Sequence, residues 1–312
     1  MLNLFDKVSC PKGDMNMAKF KIFGDSCSDL PTEIRKQFDI EYVHMGLVVD
    51  GEEKRADLDW IDYTPEEFYG WLKEGKKVKT TQVSVPEFEE CFTPALEAGY
   101  DILYIGCSSA LSGSVNTCEV LVKPALLEKY PDRKIVVIDS LNASGSEGLM
   151  LVRASQLRGE GKSIEEVAKW IEANKLRFHF FATVDTLTYL KNAGRIKGSK
   201  AFFGNIFGVK PMIISDAKGN NYAVEKAKGR RNALIRLVEV VKERVIKPET
   251  QVCYVSHADA RPEDVELVVS KIKELGFKDV VVGNLGPIIS ASCGPATFGV
   301  YYLGQEETRI GE

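Results

Sequence analysis

From residue 19 onward, apolar runs of strand length alternate with segments that carry helix start signals. That alternation constrains the fold more than any other feature of the chain. Lys19–Gly24 (KFKIFG), Asp101–Cys107 (DILYIGC) and Lys134–Asp139 (KIVVID) read as strands, the second of them buried. Glu41–Val49 reads as a further strand that runs into an Asp50-Gly51 turn and a short hairpin. Between them, Thr64-Pro65-Glu66-Glu67 sets Thr at the N-cap, Pro at the first helical position and Glu at the third, which is a capping box. Ser84 with Glu87, and Ser163 with Glu166, repeat the device. Further helices are expected from Ser114 to about Leu127 and over Glu147–Leu157. This βαβ rhythm predicts a parallel sheet covered on both faces, a three-layer α/β/α domain over residues 19–176, with 1–18 as an N-terminal extension.

The rhythm changes after residue 177. Arg177–Val184 reads as a strand, Asp185 as the cap of a short helix, and Asn192-Ala193-Gly194-Arg195 as its break. Val209–Ser215 and Tyr222–Ala227 flank a Gly-Asn-Asn turn, the mark of a hairpin. A helix at about 231–245, the strand Gln251–Ser256, a helix opening at Pro262 and the strands Asp279–Gly283 and Ala296–Leu303 complete the chain. Residues 177–312 are thus expected to form a second α/β domain, a mixed sheet with helices on one face.

Composition excludes several functions. Lys+Arg 41 against Asp+Glu 45 leaves a charge of −4, so no basic field draws nucleic acid. The longest apolar runs, such as 135–138, fall far short of the ~20 residues a bilayer span needs. The seven cysteines include no C-x-x-C pair, and with three histidines they suggest neither a metal site nor a disulfide framework. Neither G-x-x-x-x-G-K-[ST], nor G-x-G-x-x-G after the first strand, nor G-x-S-x-G occurs, so no cofactor is expected. The first twenty residues lack the apolar core of a secretory signal, and the cytoplasm is the expected compartment.

Small hydroxyl residues cluster in the loops that follow strands: Ser26, Thr80 to Ser84, Ser108 to Ser114, and Ser140. In open α/β sheets that edge binds ligands, and hydroxyls beside helix N-termini suit a carboxylate or phosphate. Ser and Thr are equally the preferred helix caps, and each cluster precedes a helix, so both readings stand at this point. His257, at a strand end beside Asp259, is the best-placed base for an alternative function, a serine-dependent acyl or phosphoester hydrolase. Arg230 and Arg231 with Lys226 and Lys228 read as a solvated helix start.

Taken in order, these loops resemble the DegV family of bacterial lipid-binding proteins, which includes the fatty-acid-binding subunit of fatty acid kinase. Asp25-Ser26-Cys27-Ser28-Asp29-Leu30 is similar to the family's D-S-x-x-D-L. Thr80-Thr81-Gln82-Val83-Ser84 is similar to T-S-Q-P-S, departing at Thr81 and Val83. Ser108-Ser109-Ala110-Leu111-Ser112-Gly113-Ser114 is similar to S-S-x-L-S-G-T, Asp139-Ser140 to D-S, Gly194-Arg195-Ile196 to G-R-I, and Lys210-Pro211 to K-P. Six such motifs in order from Lys19 to Gly304 are far more specific than any one of them.

The resemblance implies a carrier, not an enzyme, with a long-chain (palmitate-like) fatty acid in a buried tunnel between two domains. It implies that Thr80 and Ser112, with Ser109 as the fallback, hydrogen-bond the carboxylate, and that Arg195 serves partner docking or phosphoryl transfer. A fatty acid kinase subunit is the implied partner, and membrane contact is transient. Where the family has H-T-G-P-G, this chain has Ser292-Cys293-Gly294-Pro295-Ala296, so Ser292 replaces the family histidine beside the carboxylate. Phe202, Phe203, Ile206, Phe207 and Ile213 are candidate tunnel residues, with plain core packing as the rival. A sensor of another amphiphile is a further alternative.

Overall fold

The computed structural model describes residues 19–197 and 208–305. The extension 1–18 and the candidates Phe202, Phe203, Ile206 and Phe207 lie outside the described residues. Thirteen strands run in chain order among those residues: β1 (Phe20–Asp25), β2 (Ile40–Val43), β3 (Gly46–Val49), β4 (Glu52–Arg55), β5 (Val78–Thr81), β6 (Asp101–Gly106), β7 (Ile135–Asp139), β8 (Phe178–Thr183), β9 (Val209–Ser215), β10 (Asn221–Lys228), β11 (Val252–His257), β12 (Asp279–Asn284) and β13 (Phe298–Leu303). They form a parallel sheet in the order β2-β1-β6-β7, a mixed sheet in the order β10-β9-β8-β13-β11-β12, and a small antiparallel sheet β4-β3-β5. The protein is a two-domain α/β protein, as expected.

The parallel sheet is covered on both faces. Along β6, Ile102 and Tyr104 face the helix Val85–Glu97, packing with Phe88 and Phe92, while Leu103 and Ile105 face the helices Gly145–Gly159 and Ile164–Asn174. Two-sided burial makes such strands apolar throughout, which is why they were legible as continuous runs. The Thr64 and Ser163 capping boxes both form.

The helix Gly145–Gly159 joins the two domains. It packs against β1 and β6 on one side and against β8, β11 and β13 on the other. Twelve of its 15 residues are buried, so it has no solvent face and little amphipathic periodicity. A Cβ on Gly24 would sit 2.4 Å from Leu151, which sets how closely β1 meets this helix. The opposite face of the mixed sheet carries the helices Arg230–Arg244 and Pro262–Lys273, as expected.

Three local expectations need correction. The run 41–49 is two strands, not one. The His44 N–H donates to Glu87 Oε1 (3.1 Å) and the Met45 N–H to Ser26 Oγ (3.0 Å), so the chain leaves the parallel sheet after Val43 and enters the small one. Asp185 caps no helix: the helix Thr188–Ala193 begins at Leu187 without a side-chain cap, and the Asp185 carboxylate pairs with Lys210. The segment after Gly113 is not one regular helix, because a π turn at Cys118–Val122 interrupts it ahead of Pro124. Among the described residues, no helix is long and apolar enough to cross a membrane.

Candidate functional site

A cavity of about 150 Å³ lies where the two domains meet. The first supplies Met45, Leu111 and Ala143 to its wall, and the second Phe180, Ala182 and Ile213. Of the tunnel candidates within the described residues, Ile213 therefore lines it. The helix Pro287–Cys293 closes one side with Ile288 and Ile289.

Thr80, Ser112, Ser292 and Arg195 all line this cavity. Thr80 is held on β5 opposite Leu47 of β3. Ser112 is presented by a loop that turns back on itself, with the Leu111 and Ser112 N–H groups donating to the Ser108 carbonyl (2.9 and 3.0 Å). The two hydroxyl loops are tied together, since the Val83 N–H donates to Ser114 Oγ (3.1 Å), which in turn pairs with Ser112 Oγ (3.0 Å). Gln82 Nε2 adds a bond to Thr117 Oγ1 (2.7 Å). Arg195 Nε donates to the Leu111 carbonyl (3.1 Å), pinning the guanidinium beside the Ser112 turn. Ser109 is placed differently: it is exposed, does not line the cavity, and its N–H donates to Asp139 Oδ1.

The hydroxyls divide into structural and available ones. Ser84 caps the helix Val85–Glu97. Ser26 donates to the Ala56 carbonyl (2.7 Å), Ser108 to that of Gly219 (2.9 Å) and Ser140 to that of Asn142 (3.1 Å). Thr80 and Ser292, by contrast, make no side-chain hydrogen bond to any described residue. Ser112 only accepts a long bond from the Ser114 N–H (3.3 Å) besides its hydroxyl partner. Capping accounts for part of the pattern, and the remainder faces the cavity.

The mouth and the inner end of the cavity are distinct. Thr80, Arg195 and Ser292 also border an outer recess of about 740 Å³, whose rim carries Lys76, Lys77 and Lys79. Positive charge therefore surrounds the mouth although the whole chain is acidic. Cys27, Cys107, Ser144 and Tyr301 line the cavity but not the recess, and all are buried. Behind them lie three buried acids. Asp25 accepts from Tyr104 Oη and the Cys107 N–H (both 2.9 Å) and from the Cys27 N–H (2.8 Å). Asp29 accepts from Ser144 Oγ (2.5 Å) and the Gly286 N–H (2.9 Å), joining the domains. Burial raises the Asp29 carboxyl to about 8, against the pull of those two bonds. Burial also raises Asp25, and raises Glu147 well above the usual range with Asp25 adding to it. Spacing drew no attention to Ser144 or Tyr301, and Asp29, although it stands in the D-S-x-x-D-L match, was given no role there.

His257 stands apart. It does not line the cavity, its Nδ1 accepts weakly from the Ala260 N–H (3.4 Å), and Asp259 pairs with Lys73 instead of with it. Burial lowers its pKa. Arg230 is not simply solvated at its helix start, because it pairs with Asp264 (3.3 Å) and donates to the Ala296 carbonyl (2.6 Å). No cluster of metal-binding side chains occurs among the described residues.

Fold and site together define a two-domain α/β protein with a largely apolar interdomain cavity and a hydroxyl-bearing, positively charged mouth. The DegV family model matches residues 19–305. A DegV domain-containing protein of Clostridium perfringens is 36% identical over 289 residues, covering 92% of this chain and 98% of that protein. Among solved structures, a DegV family protein from Thermus thermophilus described for its fatty acid binding matches with TM-score 0.79 at 27% identity, over 92% of this chain and 100% of that one. A Thermotoga maritima protein described as revealing fatty acid binding function matches with TM-score 0.76 at 28% identity, over the same shares. The chain belongs to the DegV family.

Proposed function

We propose that this protein binds a long-chain fatty acid in the interdomain cavity, with its carboxylate at the mouth, and carries it in the cytoplasm for fatty acid metabolism. Thr80, Ser112 and Ser292 hold the carboxylate, and Ser109 serves the loop instead. Arg195 stands at the rim, where a fatty acid kinase subunit would engage the head group, and contact with membranes is transient. The domain boundary falls at 176/177, with 1–18 as an extension. The observation that carries this reading is the convergence of hydroxyls not used as helix caps on the mouth of an apolar cavity. It gains support from relatives above 25% identity that are described as binding fatty acids.

The energetics suit the assignment. Each buried methylene contributes ~0.8 kcal/mol, so a dozen supply roughly 10 kcal/mol before ordering costs. The hydroxyls then set head-group position and register. Native mass spectrometry of protein purified from bacteria tests the proposal. An acyl chain is expected to co-purify, or to load into delipidated protein; a chain that does neither refutes it.

Thr80→Val and Ser112→Ala are each expected to weaken binding by roughly 1.5–3 kcal/mol, the range for a hydrogen bond to a charged group. Isothermal titration with a long-chain acid measures it. A fall in melting temperature at unchanged affinity would instead assign these hydroxyls to the fold.

Ser292 bears on phosphorylation. A hydroxyl can donate to a carboxylate but carries no charge near neutral pH, whereas imidazole can be cationic beside a developing anion. The natural protein is therefore expected to bind acid yet support little acyl-phosphate formation with a bacterial fatty acid kinase subunit. Ser292→His is expected to raise that turnover, and robust turnover by the natural chain would contradict this.

A further inference from the structure

The inner end of the cavity is not built like an alkane pocket. Ser144 and Tyr301, 5% and 3% exposed, line it together with the thiol residues Cys27 and Cys107. Ser144 occupies the N-cap position of the helix Gly145–Gly159, yet its side chain caps nothing. Its backbone is held at φ 57°, ψ −146°, a region costly for any residue but glycine. There its Oγ donates to Asp29 Oδ2 (2.5 Å) and meets Tyr301 Oη (2.6 Å), which meets Ser256 Oγ (2.9 Å). Each hydroxyl has one proton and two acceptor positions, so this chain of three retains unused acceptor capacity. With Asp29 protonated, the carboxyl itself donates to Ser144 and one hydroxyl proton is released as well.

We propose that this inner end is a second polar subsite, which accepts an acyl chain bearing a hydroxyl group on its distal half. The inference rests on the reading above, that the carboxylate lies at the Thr80 mouth. A chain hydroxyl reaching Ser144 and Tyr301 would find both a donor and an acceptor. In an apolar tunnel end the same hydroxyl would lose its water without replacement and bind roughly ten-fold or more weaker than the unsubstituted acid.

The test compares Kd for 16-hydroxyhexadecanoic and 12-hydroxyoctadecanoic acids with their unsubstituted parents, in the full chain and in Tyr301→Phe and Ser144→Ala. At least one hydroxy acid is expected to bind within three-fold of its parent, or tighter. Each variant is expected to shift the hydroxy-to-parent Kd ratio at least ten-fold against the hydroxy acid. A purely structural role for Ser144 and Tyr301 would lower melting temperature without moving that ratio, and would overturn the proposal. Weaker binding of both hydroxy acids by more than three-fold in the natural chain would overturn it too. If no parent acid binds at all, the carboxylate reading fails, and this inference fails with it.

Discussion

Raising the pH from 6.5 to 8 is expected to destabilise this protein, with Asp29 alone contributing roughly 1 kcal/mol per unit or slightly more, a share that Asp29→Asn removes. The folded Asp29 carboxyl titrates at about 8 because it is buried, against 3.8 without burial. The native state thus keeps a proton that the unfolded chain gives up above about pH 4. Stability is therefore highest when both states are protonated, and it falls as pH rises toward 8. This is the reverse of the usual salt-bridged carboxylate. Asp25 and Glu147, also raised, act in the same direction. His257, which burial lowers, acts oppositely, an effect that is half spent at about 6.5, where the unfolded histidine is half deprotonated, and that fades over about the next pH unit. Asparagine preserves the geometry: its oxygen accepts from the Gly286 N–H, and its amide donates to Ser144 Oγ. Thermal melts should fall by several degrees in the natural chain, at about 2–4 °C per kcal/mol for a chain of this size. Asp29→Asn should make the curve shallower by that share and lie above the natural protein at pH 8. Parallel curves would show that Asp29 is ionised in the fold.

Filling the cavity should abolish acyl binding outright. Ala182 lines it from β8, across from Ile213 on β9, and its small side chain leaves room that a tail would occupy. Ala182→Trp projects an indole into that space. Displacing even half a dozen methylenes forfeits roughly 5 kcal/mol, so affinity should drop more than about 100-fold. The fold should survive, since overpacking typically costs about 1–3 kcal/mol and here the ring enters existing space. Tryptophan at Val282, 40% exposed on β12, is the matched control and should leave binding alone. Equal affinity in Ala182→Trp would place the tail elsewhere.

What was legible in the chain follows from the range of the interactions. Capping boxes at Thr64 and Ser163 and the buried strands β1, β6 and β7 depend on near neighbours or on burial of both faces, and both signals are local. Thr80, Ser112 and Arg195 were legible through the ordered loop motifs and Ser292 through the departure from H-T-G-P-G, and all four line one cavity. The split at His44 was not, because it depends on Glu87, 43 positions away. Nor was the helix Gly145–Gly159 recognisable as the joint between domains, since burial on both sides erases the amphipathic pattern that would have revealed its packing. The Asp29–Ser144–Tyr301 chain links residues 115 and 157 positions apart, a distance at which spacing carries no information.

The central claim is that the loop hydroxyls at the cavity mouth hold a fatty acid's carboxylate while its tail lies between the domains. A crystal structure of the protein loaded with a long-chain acid tests this most directly. The account predicts a carboxylate oxygen within about 3 Å of Thr80 Oγ1 and of Ser112 Oγ, with the chain running past Ala182 and Ile213 toward Ser144 and Tyr301. Density placing the head group at Ser144 and Tyr301, or the acid outside this cavity, would contradict it.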